Sequence, residues 1–62
     1  MKKNAMISFG FRFHPVTILR DSKKFLVWEQ SGRLYQWVKG TKNVENLDDD
    51  KIIPVIKVTV KY

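Results

Sequence analysis

Apolar and polar positions along this chain alternate with a period of two. Ile7, Phe9, Phe11 and Phe13 interleave with Ser8, Gly10, Arg12 and His14. Such alternation places one set of side chains on each face of extended backbone, and it predicts a half-buried strand over residues 6–14. Pro15 cannot donate to a ladder, so it is expected to end that strand or to mark an edge or bend. Val16, Thr17, Ile18 and Leu19 are β-branched or apolar and predict a second strand or a kinked continuation of the first. A polar turn over residues 20–24 follows.

The next two segments, 25–30 and 33–39, flank Ser31-Gly32, a dipeptide suited to a two-residue hairpin loop. In that register Gln30 faces Arg33, Trp28 faces Tyr35 and Leu26 faces Trp37, all on one side. The other side carries Phe25, Val27, Glu29, Leu34, Gln36 and Val38. Both sides are largely apolar, whereas a chain of 62 residues has material for one core. The aliphatic side (Phe25, Val27, Leu34 and Val38) matches the residues offered by the terminal strands. Leu26, Trp28, Tyr35 and Trp37 are then either covered by the irregular segment that follows or exposed as a binding patch. A slip of one residue would exchange the two sides.

Residues 40–50 are the least regular, and the spacing of Val44 and Leu47 suits one short helical turn near 44–50. From Val55 onward the chain again alternates, with Lys57, Thr59 and Lys61 on a polar face; Pro54 belongs at an edge or bend. The expected fold is all-β and mainly antiparallel: one domain over residues 1–62, with residues 1–5 a flexible basic tail. Four to five short strands suit a small SH3-like or Sm-like barrel or a strongly twisted sheet, with a partial oligonucleotide-binding-type barrel as second choice.

Size and composition narrow the picture. A chain this short buries about 60% of its unfolded surface. It has no cysteine, hence no disulfide or thiolate zinc site to supplement the core, and it suits a reducing cytoplasm. Lys2 and Lys3 begin like a signal peptide, but no apolar h-region follows. No stretch nears the roughly 20 apolar residues of a membrane span, so no membrane partner is expected. Twelve Lys/Arg oppose six Asp/Glu, for a net charge of +6. Most of the positive charge precedes residue 45, and Glu45, Asp48, Asp49 and Asp50 concentrate the negative charge. Such a field attracts polyanions: nucleic acid, an acidic protein surface or anionic lipid.

Candidate chemistry is sparse. Phe9-Gly10-Phe11-Arg12-Phe13 resembles the aromatic strand motif of cold-shock proteins and RNA-recognition motifs over about five residues. The resemblance implies rings that stack on bases beside cations that meet phosphate. His14, the one histidine, could act beside Arg12 as a base beside a cation. The serines have no visible base, so catalysis is not expected. Adjacent carboxylates at 48–50 diverge in direction, which suits a solvated loop or cap, or a region that repels nucleic acid locally, better than a metal site. No cofactor or metal is expected.

The sequence therefore points to a non-enzymatic basic binding domain, with nucleic acid (DNA or RNA) as the first partner. The residues expected to carry it are Arg12, His14, Lys23, Lys24, Trp28, Arg33, Tyr35, Trp37 and Lys39. The alternative is a protein-interaction module, an adaptor, inhibitor or regulatory factor, using the face of Leu26, Trp28, Tyr35 and Trp37. A homo-oligomer through an edge strand or that same face is a third reading.

Overall fold

Short turns between short strands dictate a meander. The computed structural model describes residues 2–62 and holds seven strands, with no helix among the described residues. They are β1 (Lys3–Ser8), β2 (Phe13–Asp21), β3 (Phe25–Gln30), β4 (Arg33–Val38), β5 (Asn43–Asn46), β6 (Lys51–Pro54) and β7 (Thr59–Lys61). All belong to one sheet in the order β6-β5-β4-β3-β2-β1-β7, every pair antiparallel. The strand count exceeds the expected four or five because two of the segments read as single strands, or as loop, contain chain reversals.

The β3–β4 hairpin has the register read from the sequence, including Trp28 opposite Tyr35 and Leu26 opposite Trp37. Ser31 and Gly32 both have positive φ, 52° and 81°. That is the type I′ geometry whose twist matches paired strands. Glu29 Oε2 accepts the Gly32 N–H at 2.6 Å and ties the turn to its own strand.

Register and linker length together force the sheet to curl. Lys3, Ile18, Trp28, Tyr35, Asn46 and Lys51 lie on one row across six strands. From that row the β1–β2 hairpin extends one way, to Ser8 opposite Phe13, while β5–β6 extends the other, to Asn43 opposite Pro54. This diagonal stagger is the shear that accompanies tilted strands in a coiled sheet. Only residues 55–58 connect the edge strands β6 and β7. Fully extended, such a link reaches about 18 Å. Seven flat strands would separate their edges by about 29 Å. The sheet therefore wraps round, giving extents of 24 × 24 × 23 Å, and stays open between β6 and β7. A bulge in β2 between Ile18 and Arg20 adds to the bend.

The core lies on the concave face. Ala5, Ile7, Val16, Ile18, Leu26, Trp28 and Val44 are buried, with Phe9, Tyr35, Trp37, Val55, Val58 and Val60 packed against them. This corrects the expected choice of hairpin face. The side with Leu26 and Trp28 is inside, while Leu34 and Val38 are exposed and Phe25 and Val27 half-buried outside. The reason is register: Trp28 shares its row with Ile18, and Leu26 shares its row with Trp37 and Val44. The concave side of so small a sheet is filled by the larger rings.

Other expectations also change. The alternation over 6–14 does not run along one strand, because the chain reverses over residues 9–12 and pairs Ser8 with Phe13. Residues 43–54 form the β5–β6 hairpin where a helical turn was expected near 44–50. Buried Asn46 shapes its turn: Oδ1 accepts the N–H groups of Asp48 and Asp49, and Nδ2 donates to Asp49. Of the alternating C-terminal segment only Thr59–Lys61 is strand. Lys3, Asn4 and Ala5 belong to β1, so they are not a tail, and Met1 lies outside the described residues. Among the described residues no helix is long and apolar enough to cross a membrane.

Candidate nucleic-acid interface

Turn chemistry gathers the cations. Residues 22–24 join β2 to β3, and Ser22 closes the turn by bonding Phe25 through both its backbone and its hydroxyl. Residues 39–42 join β4 to β5, and Thr41 closes that turn on the Val38 carbonyl. The two turns are themselves bonded, Lys39 N–H donating to the Lys24 carbonyl at 2.8 Å. Lys23, Lys24, Lys39 and Lys42 thus occupy adjoining turns, all exposed.

The 55–58 link packs beside one of these turns. Val55 N–H donates to the Lys42 carbonyl at 2.8 Å. The next residue, Ile56, lies so close to Gly10 that a Cβ there would be 3.2 Å from Ile56 Cβ. Val55 and Ile56 therefore link the Lys42 turn to Gly10 in the 9–12 loop.

One carboxylate anchors this end. Asp21 accepts Lys39 Nζ at 2.7 Å on one oxygen and the Tyr62 hydroxyl on the other. The Lys39 bond, then that of Tyr62, holds the Asp21 carboxyl below its ordinary value, with Lys3 nearby adding to the effect. The same bond from Asp21 raises the Tyr62 phenol to about 12. The Lys3 ammonium sits 4.6 Å above the Tyr62 ring. The remaining aspartates lie at the other end of the β3–β4 hairpin, where Asp48 caps Leu34 N–H and Asp49 pairs with Arg33 at 3.5 Å. Charge is thus segregated: lysine turns at one end, the acidic turn at the other.

The expected site residues separate accordingly. Lys23, Lys24 and Lys39 come together, whereas Arg12 lies on the 9–12 loop, at the other end of β2 from the 22–24 turn. Arg33 stands apart in its ion pair with Asp49. His14 is half-buried, its ring 5.7 Å from that of Phe9. Trp28 has 0% exposure and offers no face to a base, which removes it from the interface. Tyr35 is half-buried and stacked on Trp28, centroids 5.7 Å apart. Trp37 is half-buried and donates its indole N–H to the Thr41 carbonyl beneath the β4–β5 turn. Of the face of Leu26, Trp28, Tyr35 and Trp37, the first two are buried and the last two half-buried. Lys42 adjoins the expected lysines, and Phe11, read in the sequence as part of an aromatic stacking motif, is exposed on the 9–12 loop. Gly10, with positive φ, turns the 9–12 loop.

No protein-family model matches the chain, and neither a curated protein nor a solved structure matches it.

Proposed function

We propose that this chain is a non-enzymatic nucleic-acid-binding β domain that grips the phosphate backbone with its lysine-bearing rim. The observation that carries the reading is the Lys39–Lys24 backbone bond, which holds two lysine turns together. Among the described residues, none of Lys23, Lys24 and Lys42 has a carboxylate within ion-pair distance; Lys39 alone of the four is paired, with Asp21. Three free ammonium groups on adjoining turns suit the close phosphate spacing of a polynucleotide. We read the curled sheet as a small SH3-like or Sm-like barrel left open between β6 and β7, and the cysteine-free chain suits a cytoplasmic setting.

The test is fluorescence anisotropy of labelled single-stranded and duplex oligonucleotides over a series of salt concentrations. Counterion release makes log affinity fall with log salt, by about 0.7 to 0.9 per phosphate contacted. An affinity indifferent to salt contradicts the proposal.

A further inference from the structure

Three phenylalanines cluster at the β1–β2 hairpin, and each meets a different fate. Phe9 turns inward, its ring 6.1 Å from Trp28 and 5.7 Å from His14. Phe13, on β2, lies under the Lys61 ammonium at 4.9 Å. Phe11, at the loop, is 90% exposed, more than any other large apolar side chain described. Core packing therefore does not explain its presence.

The ground beside it is shaped. Phe9, Phe11, Arg12 and His14 line an open depression of about 530 Å³. That volume falls within the roughly 300–1,000 Å³ of small-ligand sites. Its lining combines an accessible π-face, a guanidinium and an imidazole. Gly10, at φ 132° and packed on Ile56, fixes the loop that presents the ring. Ile56 is followed by Lys57 and preceded by Val55, which is bonded to the Lys42 carbonyl. Val55 and Ile56 thus stand between the Lys42 turn and the loop that lines the depression.

We infer that the depression is a subsite for one unpaired nucleotide, an inference that rests on the nucleic-acid reading above. The base stacks on Phe11, Arg12 meets the adjoining phosphate, and His14 offers a ring nitrogen to the base edge. A base inside a duplex has both faces covered, so the subsite selects single strands.

The test measures binding of a labelled oligo-dT and of a duplex of equal length, by wild type and by Phe11→Ala, Phe11→Leu and Phe11→Trp. Because the ring is exposed, the variants are expected to melt like wild type. Phe11→Ala should weaken oligo-dT binding about tenfold, the scale of one lost stacking contact. Phe11→Leu should weaken it similarly and Phe11→Trp should retain it, with salt dependence and duplex affinity unchanged throughout. Oligo-dT affinity unaltered in Phe11→Ala would overturn the subsite while leaving the lysine rim intact. Full binding by Phe11→Leu, together with capture of anionic phosphatidylserine vesicles, would overturn it in favour of a membrane-inserting tip. Absence of any salt-dependent nucleic-acid binding by wild type would overturn both readings at once.

Discussion

The Tyr62 hydroxyl donates to Asp21 Oδ2, joining β2 to the chain just beyond β7 while β1 lies between them. The other Asp21 oxygen accepts Lys39 Nζ, so one carboxylate ties together residues from three regions of the sheet. Tyr62→Phe removes one of these ties without removing the ring. A hydrogen bond of this kind contributes on the order of 1 kcal/mol. The expected loss in Tm is about 4–8 °C, read by thermal melting followed by circular dichroism.

The same pair sets a pH dependence of known sign. Asp21 titrates below its ordinary 3.8, so its contribution is present above that value and is lost as pH falls through the lowered one. Tyr62 is raised from 10.0 to about 12, so its contribution is complete below pH 10.0 and is lost as pH rises towards 12. Asp21→Asn should therefore lower Tm most at neutral pH. The gap to wild type should narrow in both acid and strong alkali; a gap constant with pH would show that the ties are not coupled to titration.

Trp28 is the largest of the fully buried side chains. Replacing such a ring by alanine costs about 3–5 kcal/mol, a large part of the stability of so small a domain. Trp28→Ala is expected to abolish cooperative urea unfolding at 25 °C, and Trp28→Phe to keep it with a lower midpoint.

These two aromatic cases show how far the sequence could be read. Trp28 opposite Tyr35 followed from the Ser31-Gly32 turn alone, because a hairpin loop of known length fixes register. Which side of that hairpin is buried did not follow, since Phe25, Val27 and Val38 make the outer face nearly as apolar as the inner. Burial was decided by Ile18 and Val44, neighbours across strands whose pairing no local pattern encodes. Likewise the alternation from Ile7 to Phe13 keeps its phase through a four-residue reversal, so a period of two could not reveal the turn. The lysine turns were legible as charge. Their adjacency depends on the Lys39–Lys24 bond, a product of the β3–β4 pairing.

Gly10 is held at φ 132°, which side chains rarely adopt, and a Cβ there would press on Ile56. Gly10→Ala should cost about 1–3 kcal/mol in chemical denaturation. Adding Ile56→Ala should recover only the steric part, because the backbone conformation is unchanged. Full recovery in the double variant would show that crowding alone is at issue.

Removing charge from the rim has a distinctive signature. Lys23→Gln, Lys24→Gln and Lys42→Gln should each reduce the slope of log affinity against log salt by up to about 0.9 on duplex. Arg33→Gln, removing the partner of Asp49 at the opposite end, should leave that slope unchanged. Equal effects from all four would place the nucleic acid on the general positive field rather than on the turns.

The joining of β7 to β1 also shapes the order of events in folding. Strands β1 to β6 pair with sequence neighbours, so hairpins can zip up one after another with little loop entropy to overcome. β7 is different: Met6 meets Lys61 and Ser8 meets Thr59, contacts that close nearly the whole chain into a ring. Such closure becomes less costly once the intervening segment is already compact. The topology thus predicts that the meander forms first and that β7 docks last on the surface made by the other six strands.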